Sequence, residues 1–546
     1  MSYKLLKIHP ADDMIVALED IPQGADILFD NISFKTLDYI PAKHKISVAY
    51  FKTGDLLKMY GVVVGKALTE IHVGNLIHTH NLKHASEGYG IDKKKPYTWT
   101  PPDVSKYKNR TFMGYMRKDG QVGTANYWIF IPTVFCENRN LEIIKEALYQ
   151  ELGYAQPDKY KVFTKNLVNS YIAQENISTI YLQPSNNTHK KIFPNIDGIK
   201  FLTHQGGCGG TRQDSAMLSK LLAAYACHPN VCGVTIMNLG CEHLQADALK
   251  NEIFALQPQF DKPILTFSQQ KGGTEEQIVS QAIKQTFEAL IAANNITRTP
   301  VPLSHLKMGV KCGGSDGFSG ISANPALGYA ADLLVAMGGT VMMAEFPELN
   351  GVEQELVDRC TNNNIASKFI NLMQTYSAQA EAVGSGFHAN PSPGNIKDGL
   401  ITDAIKSCGA ARKGGFAPVT DVLDYAEIST KPGLNLVCTP GNDVEATTGK
   451  TAAGAHVICF TTGLGTPTGN PICPVVKIST NDALAQRMPD IIDINTGGII
   501  SGEKTIPQMG EEILEYVIKV ASGEVVPKAV ILGQDDFIPW KRGVSL

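Results

Sequence analysis

Residues 310–320 read VKCGGSDGFSG, an apolar run that ends in a glycine-rich loop with a thiol, a carboxylate and two hydroxyls. Three later apolar runs, at residues 341–344, 434–437 and 457–460, also end in polar loops. In an open parallel sheet the carboxyl ends of the strands lie along one edge, where ligands bind. The pattern predicts a doubly wound α/β domain with an active site at that edge.

Acids lie directly after two of these predicted strands. Asp316 follows the first strand, and Glu345 and Glu348 follow the second. Charged side chains at such positions are more often catalytic or metal-binding than structural, and either Glu345 or Asp316 is the predicted general base. Glu348 and Cys312 are further catalytic candidates. The neighbouring polar loops supply the candidate substrate-binding residues Ser315, Asn390, Ser392, Asn395, Asn442 and Asp443.

The length of 546 residues is too great for one hydrophobic core and indicates roughly three or four domains. Short β-like runs predict a compact β domain over residues 1–92, and a charged stretch with three prolines predicts a linker over 93–111. Alternating strand-like and helix-like segments predict a middle α/β domain over 112–296. The doubly wound domain is expected over 305–546.

Composition and charge exclude several classes of function. The chain is 43% hydrophobic and 19% charged with a net charge of −4, which gives no sign of a nucleic-acid surface. The expected partner is therefore a small molecule. The sequence shows no secretory signal and no run that would span a membrane, so we expect a cytoplasmic protein.

The 11 cysteines lack the regular spacing of a disulfide framework and are expected to be reduced. No CxxC pair occurs, which argues against a zinc ribbon and a ferredoxin-type cluster. A metal held by residues that are distant in sequence is still compatible with this spacing.

Two histidines of the β domain, His78 and His80, occupy alternate positions and therefore one face of an extended segment. Two imidazoles on one face suit a divalent ion of the first transition row. The alternative is a pair of surface histidines. Cys241 and Glu242, at the end of a predicted strand in the middle domain, are further candidate metal ligands, although only one member of that group need be functional.

A glycine-rich loop in the middle domain leads into a predicted helix, with the sequence THQGGCGGTRQD at residues 203–214. The free backbone amides of such a helix start favour an anion, and Arg212 adds a planar group suited to a carboxylate. Arg212 and the Cys208 loop are therefore the predicted carboxylate binders. The alternative is a tight strand-to-helix turn that needs the conformations of glycine.

Two nucleotide-binding patterns fail in their spacing. Residues 449–451, GKT, resemble the end of a P-loop, but Val444 stands where that pattern needs its first glycine. Gly463 and Gly465 lack the third glycine of a dinucleotide-binding fingerprint. Chemistry that depends on ATP or NAD is therefore disfavoured.

Six stretches of the chain together carry a family resemblance. They are GNLIHTHN (74–81), DGQVGTAN (119–126), CGGSDGFSGISANP (312–325), EFPE (345–348), NPSPGN (390–395) and PGND (440–443). On these stretches the chain resembles the altronate and galactarate dehydratase family of sugar-acid dehydratases, over nearly its whole length. The ending KRGVSL, residues 541–546, is more similar to the altronate members.

The resemblance implies an N-terminal SAF domain of the β-clip type, a middle domain that takes part in dimerisation, and a Rossmann-like C-terminal domain. It also implies a homodimeric hydro-lyase that depends on Fe(II) or Mn(II). The favoured reaction is the dehydration of D-altronate to 2-dehydro-3-deoxy-D-gluconate. A metal ion near His78, His80 and Glu242 would stabilise the enediolate while the base removes the C2 proton.

Two alternatives stay open on the sequence. Ala125 and the loop at 203–210 depart from the pattern of familiar family members, so the residues indicate the reaction class more firmly than the substrate. Galactarate dehydration would need a second cation for the distal carboxylate, which Lys406, Arg412 or Lys413 could supply. The other alternative is a non-catalytic sugar-acid sensor or scaffold, in which the β domain recruits a partner.

Overall fold

A small antiparallel β domain begins the chain in the computed structural model, which describes residues 3–183 and 190–543. Its strands are β1 Leu5–Leu6, β2 Met14–Ala17, β3 Asp26–Phe29, β4 Ile32–Lys35, β5 Lys45–Ser47, β6 Leu56–Met59, β7 Val62–Ala67, β8 Leu76–Ile77 and β9 Leu82–Lys83. They form sheets of the order β1-β2-β5-β8, β3-β4 and β6-β7-β9.

The strand β2 shows how this domain is held in place. All its residues are buried, and successive side chains point to opposite faces. Ile15 and Ala17 pack with Ile46 in the core of the β domain, whereas Met14 and Val16 join the large core of the C-terminal domain. The β domain is therefore packed against the C-terminal domain by one of its faces.

The linker runs across the surface of the C-terminal domain. The backbone N–H of Lys95 donates to Asp358 Oδ1 at 2.9 Å, and the Tyr97 hydroxyl donates to the carbonyl of Phe416 at 2.7 Å. These hydrogen bonds give partners to polar groups of the linker, which is not part of a sheet at Lys95 and Tyr97.

The middle domain contains a parallel sheet between two layers of helices. Its strands are β10 Thr111–Met116, β11 Val122–Gly123, β12 Tyr127–Pro132, β13 Gly198–Phe201, β14 Val231–Asn238, β15 Ile264–Ser268 and β16 Thr299–Pro302. Its helices are α1 Asn138–Leu152, α2 Lys159–Ile172, α3 Arg212–Cys227, α4 Ala246–Leu256 and α5 Glu275–Ala293. The parallel sheet has the order β13-β12-β14-β15, and β10 pairs with β11 and β16 beside it.

The central strand β12 is covered by helices on both of its faces. Trp128 and Phe130 pack on α1 and α5, and Ile129 and Ile131 pack on α3 and α4. Because both faces of the strand are covered, its sequence is a continuous apolar run rather than an alternating one.

The C-terminal domain is a larger parallel sheet with helices on both faces. Its strands are β17 Lys307–Cys312, β18 Thr340–Ala344, β19 Val419–Leu423, β20 Gly433–Val437, β21 Val457–Thr462, β22 Val475–Ser479 and β23 Ile494–Asn495. Its helices are α6 Ala323–Ala336, α7 Glu353–Arg359, α8 Asn363–Ala382, α9 Pro393–Lys397, α10 Asp403–Ala411, α11 Asp443–Ala452, α12 Asp482–Arg487, α13 Gly497–Ser501, α14 Ile506–Ala521 and α15 Lys528–Ile531.

The order of this sheet is β19-β20-β18-β17-β21-β22-β23, and all neighbouring strands are parallel. The chain adds strands on one side of β17 and then returns to its other side at β21. Such a reversal opens a crevice at the carboxyl ends of the strands, where ligands bind. The prediction of a multidomain α/β protein with a parallel sheet is confirmed. Within the described ranges, no helix has the length and apolarity needed to cross a membrane.

Candidate active site

The loops after β17 and β18 bring a thiol and two carboxylates together. Cys312 is the last residue of β17. Glu345 follows β18, and Glu348 lies in the 3₁₀ turn Phe346–Leu349. The Cys312 Sγ and one carboxylate oxygen of each glutamate lie within 4.8 Å of one another, and all three side chains are buried. Two adjacent parallel strands therefore deliver all three groups to one edge of the sheet.

Lys413 lies in the middle of this group. Its Nζ is 3.1 Å from Cys312 Sγ, 3.5 Å from Glu345 Oε2 and 4.0 Å from Glu348 Oε2. Burial opposes the charged form, but the three neighbours outweigh it and raise the pKa of Lys413 to about 12. The cation at the centre of the group is thus an ammonium that the chain itself supplies.

Two more lysines complete the charge balance. Lys311 forms an ion pair with Glu345, and its Nζ also lies 2.8 Å from Asp443 Oδ1. Lys406 Nζ donates to Glu348 Oε1 at 2.8 Å. We define the acid–lysine cluster as Glu345, Glu348, Lys311, Lys406 and Lys413.

The two glutamates of the cluster have opposite electrostatics. Burial raises the pKa of Glu345, and the neighbouring Glu348 carboxylate adds to that effect. Burial acts in the same direction at Glu348, but the ammonium groups of Lys406, Lys311 and Lys413 outweigh it and lower the pKa. Glu348 is therefore ionised at neutral pH. Carboxyl groups whose pKa values are pushed apart are the arrangement that acid/base catalysis uses.

The backbone at Glu345 is held in an unusual conformation. Its φ of 74° and ψ of 67° lie in the left-handed region, which residues other than glycine rarely adopt. Its N–H donates to Thr439 Oγ1 at 3.1 Å, which ties this turn to the loop after β20. Strained backbone of this kind occurs mainly at functional sites. The strain supports a catalytic interpretation of the cluster.

A cavity of about 490 Å³ opens beside the acid–lysine cluster. Glu348, Lys406 and Asp443 line this main cavity. The side chains of Glu345 and Lys413 are fully buried, so they act on the cavity only through their neighbours. Polar and glycine residues complete the wall, among them Asn390, Ser392, Asn395, Gly313 and Gly314.

The predicted substrate-binding residues of this domain lie around the main cavity in different roles. Asn390 Oδ1 accepts from Lys406 Nζ at 2.7 Å. Asn395 Nδ2 donates to the carbonyl of Ser315 at 2.7 Å, which ties α9 to the loop after β17. Ser392 caps α9 and Asn442 caps α11. Asp443, at the start of α11, faces both the cavity and Lys311.

Asp316, a predicted general base, lies apart from the wall of the main cavity. Its carboxylate is 3.1 Å from Lys43 Nζ of the β domain, and it accepts from Ser319 Oγ at 3.1 Å and from Asn481 Nδ2 at 3.3 Å. The side chain is fully buried. These contacts give Asp316 a place in the junction between the β domain and the C-terminal domain.

The predicted metal ligands of the β domain lie beside α9. The rings of His78 and His80 stack with their centroids 6.2 Å apart, and the rings of His44 and His78 stack with their centroids 5.6 Å apart. Burial and then the charge of His80 lower the pKa of His78, although a hydrogen bond to the backbone of Ile396 in α9 opposes the change. The histidine pair is therefore close to the helix that carries Asn395.

The predicted metal ligands of the middle domain lie in a different part of the molecule. The carboxylate of Glu242 accepts from Thr133 Oγ1 and from the backbone N–H of Gly240, both at 2.6 Å. Cys241 is exposed. In the described part of the chain, these two residues form no group of three ligand atoms within 4.8 Å with the histidines.

The predicted carboxylate binders also lie in the middle domain. Arg212 is exposed at the first position of α3. Cys208 is exposed and lines a second cavity of about 590 Å³, here called the loop cavity. The structure therefore places both residues outside the main cavity.

Sequence reasoning missed the central role of the lysines. Lys413 and Lys406 were expected only as possible cations for a second carboxylate, and Lys311 had no assigned role. A signal was present, because Lys311 interrupts an apolar strand, and a lysine in a buried strand must be paired. Lys450 belongs to the GKT stretch, for which the sequence predicts no role once the P-loop pattern fails. It is buried, and its Nζ donates to the carbonyl of Val310 at 2.9 Å. Burial lowers the pKa of Lys450 to about 7.

Comparison with known proteins matches all three parts of the chain. The altronate/galactarate dehydratase SAF domain matches residues 3–85. The second domain of D-galactarate dehydratase/altronate hydrolase matches residues 114–294. The C-terminal domain of D-galactarate/altronate dehydratase matches residues 303–545.

Relatives are similar over nearly the full length. The altronate dehydratase of Bacillus subtilis (strain 168) is 34% identical over 524 residues, 95% of each chain. The altronate dehydratase of Escherichia coli (strain K12) is 31% identical over 544 residues, 99% of each chain. The chain belongs to the altronate and galactarate dehydratase family. The galactarate dehydratase (L-threo-forming) of Escherichia coli (strain K12) is 30% identical over 523 residues, 95% of this chain and 93% of that one.

Membership of the altronate and galactarate dehydratase family confirms the predicted SAF domain and the predicted family resemblance. Whether the predicted metal ion could bind at the acid–lysine cluster depends on the side chains found there. The thiol of Cys312 and the two carboxylates are ligand types that bind transition metals. The Lys413 ammonium already lies among them, however, and Lys311 and Lys406 balance the remaining charge. A divalent ion there would meet three ammonium groups, so this arrangement does not fit a metal.

Proposed function

We propose that this protein is a hydro-lyase that dehydrates a sugar acid, with D-altronate as the substrate and 2-dehydro-3-deoxy-D-gluconate and water as the products. The observation that carries the proposal is the pairing of an ionised Glu348 with Lys406 on the wall of the main cavity. The relatives named altronate dehydratase support the same reaction.

The reaction needs a base, a cation and a route for the leaving hydroxyl. The C2 proton of an aldonate is weakly acidic because it lies next to a carboxylate, so positive charge must stabilise the enediolate that forms. Glu348 takes the C2 proton. Lys406 pairs with the substrate carboxylate, and Lys413 and Lys311 add positive charge behind the wall. The hydroxyl at C3 then leaves as water with the proton that Glu348 took from C2, and the resulting enol takes up a proton from solvent at C3 to give the 2-keto acid.

This assignment changes the predicted base. Glu345 and Asp316 were favoured on the sequence, but both side chains are fully buried, and neither lines the main cavity. Glu348 follows the same strand as Glu345 and reaches the cavity wall. We therefore assign proton removal to Glu348 and a supporting role to Glu345, whose contacts hold Lys311 and Lys413 in place.

The cavity favours a substrate with one carboxylate. Among the described residues that line it, Lys406 is the one basic side chain. Arg412, a predicted partner for a second carboxylate, lies over the rings of Tyr60 of the β domain and Phe416 of the C-terminal domain, and it does not line the main cavity. Galactarate would place its distal carboxylate without a cation from this wall. Altronate therefore fits better than galactarate.

The substrate assignment is tested by initial rates of keto-acid formation from D-altronate, galactarate and D-mannonate. We expect D-altronate to give the highest kcat/KM. A higher value for galactarate would overturn the substrate assignment but keep the reaction class. Tight binding of these acids without any keto acid would support the sensor alternative instead.

Dependence on Fe(II) or Mn(II) is also proposed, on the family resemblance. Because the acid–lysine cluster does not fit the ion, its ligands are expected elsewhere in the chain. We further propose that the C-terminal domain is Rossmann-like, which its sheet order supports. The proposed domain boundaries are 1–92, 112–296 and 305–546, and the proposed location of the protein is the cytoplasm.

A homodimer is proposed through α2 of the middle domain. None of the residues of α2 is buried in the described chain. Its apolar side chains include Tyr171 and Ile172, which are 77% and 73% exposed. Large exposed apolar side chains that lie close together on one helix favour a protein–protein interaction site. The proposed occupant is the same surface of a second copy.

The double variant Tyr171→Glu/Ile172→Glu is expected to weaken the dimer by at least about 30-fold in Kd, which corresponds to loss of about 2 kcal/mol at an interface hot spot. Sedimentation velocity over a concentration series measures this change. Leu28→Glu is the matched control, because Leu28 is also 77% exposed but lies in the β domain. An unchanged Kd in the α2 variant would place the interface elsewhere.

A further inference from the structure

Three exposed cysteines follow three neighbouring strands of the middle sheet. Cys136 comes after β12, Cys208 after β13 and Cys241 after β14. The order β13-β12-β14 makes these strands adjacent and parallel. Their carboxyl ends, and the loops that carry the thiols, therefore lie at the same edge of the sheet.

Direct backbone contacts hold these loops together. The N–H of Phe135 donates to the carbonyl of Gly206 at 3.1 Å, and the N–H of His243 donates to the carbonyl of Gly207 at 3.0 Å. Gly207 has a φ of 96°, and a Cβ there would lie 2.0 Å from the carbonyl oxygen of Thr133. Glycine is needed at 207 because the cysteine loops approach each other so closely.

These thiols differ from the other cysteines of the chain. The remaining cysteines are buried. In the middle domain, burial raises the pKa of Cys227 to about 11 and that of Cys232 to about 12, so both are protonated core residues. Cys241 Sγ instead accepts a hydrogen bond from Gln270 Nε2 at 3.2 Å. Donors to sulfur and access to solvent are features of metal-binding thiolates.

The spacing of the sulfur atoms is compatible with a centre that holds more than one metal atom. Within the described residues, the three thiols do not form a group with all ligand atoms inside 4.8 Å, as ligands of a single ion would. In a four-iron cluster each thiolate binds a different iron atom, and the irons are bridged by sulfide, so the thiolates span a wider gap. Thiolate ligands also select such clusters over oxygen-binding ions.

We propose that Cys136, Cys208 and Cys241 hold an iron–sulfur cluster at the carboxyl edge of the middle sheet. Clusters of this class ordinarily take four cysteine ligands. In a four-iron cluster, three protein thiolates leave one iron without a protein ligand, open to water or to an oxygen of a bound molecule. The cluster would give the proposed iron a site outside the acid–lysine cluster.

The loop cavity adjoins the main cavity, so the cluster would lie near the substrate. Trp540 lines the loop cavity and stacks on Tyr376, which lines the main cavity, with ring centroids 4.9 Å apart. The first turn of α11 also joins the two, because Asp443 faces the main cavity and Glu445 faces the loop cavity.

The test measures iron and acid-labile sulfide in the full-length protein, purified without oxygen and then treated with Fe(II) and sulfide. We expect bound iron and sulfide together, with a visible absorption band of sulfide-to-iron charge transfer. Cys136→Ala, Cys208→Ala and Cys241→Ala should each lose most of the band and of the sulfide. Cys227→Ala, which removes a buried thiol of the same domain, should keep both.

Circular dichroism and urea unfolding of each variant show whether it is folded, so loss of the cluster in a folded variant supports the proposal. Absence of sulfide in the treated wild type, or a single bound ion without sulfide, would overturn it. Sulfide retained in all three variants would also overturn it. Because none of these readouts uses turnover, the outcome is independent of the proposed dehydratase activity.

Discussion

Glu348→Gln is expected to lower kcat for D-altronate by about 10²–10⁴-fold, the range that a positioned acid or base contributes. The amide has nearly the shape of the carboxylate but cannot accept a proton. In the wild type, Lys406, Lys311 and Lys413 lower the pKa of Glu348. The base therefore stays ionised well into the acid range, and the activity should not fall through loss of this base near neutral pH. Initial rates over a pH series measure both effects.

The control for this variant is Glu353→Gln. Glu353 is buried at the start of α7, close along the chain, and accepts from the backbone N–H of Gly351 at 2.7 Å, but it does not line the main cavity. We expect its kcat to stay within a few fold of the wild type. Full activity of a folded Glu348→Gln protein would exclude Glu348 as the base.

Lys413→Met is expected to lower the free energy of unfolding by about 3–5 kcal/mol, the cost of removing one partner from a buried ion pair. The substitution keeps an unbranched side chain one atom shorter but leaves Glu345, Glu348 and Cys312 without their central cation. Urea unfolding of wild type and variant at neutral pH gives the difference directly.

The pH dependence of this loss has a definite sign. Without the ammonium, the folded-state pKa values of Glu345 and Glu348 rise, and protonation at low pH removes the unpaired charge. The destabilisation should therefore be largest at neutral pH and smaller as the pH falls through the raised pKa values. Lys431→Met is the control, because the pair of Lys431 with Asp421 is half exposed and is worth about 1 kcal/mol or less. An equally small effect at Lys413 would contradict the charge balance described for the cluster.

The sheet edge that carries the acid–lysine cluster could be predicted from the sequence because each strand and the polar loop after it are neighbours along the chain. The apolar runs that become β17, β18, β20 and β21 end at polar loops, and parallel strands place such loops side by side. Glu345, Glu348 and Cys312 were found in this way. Their mutual distance required only that β17 and β18 be neighbours, which the α/β pattern already favoured.

The partners of these acids could not be predicted, because they come from distant parts of the chain. Lys406 lies in α10, and Lys413 lies in the 3₁₀ turn that follows it, about a hundred residues after β17. No local pattern distinguishes a buried lysine in a helix from an exposed one. The choice between Glu345 and Glu348 as base depends on which side chain reaches the cavity, and this is decided by the 3₁₀ turn after β18.

The most direct test of the proposed function follows the conversion of D-altronate by proton NMR in deuterated water, with the anaerobically purified wild type. We expect the C2 proton signal to disappear while the signal of a monodeuterated C3 position (CHD) of a 2-keto acid appears, at a rate that Glu348→Gln lowers by about 10²–10⁴-fold. A spectrum of D-altronate that stays unchanged with the wild-type protein, with or without added Fe(II) and Mn(II), would contradict the dehydratase assignment.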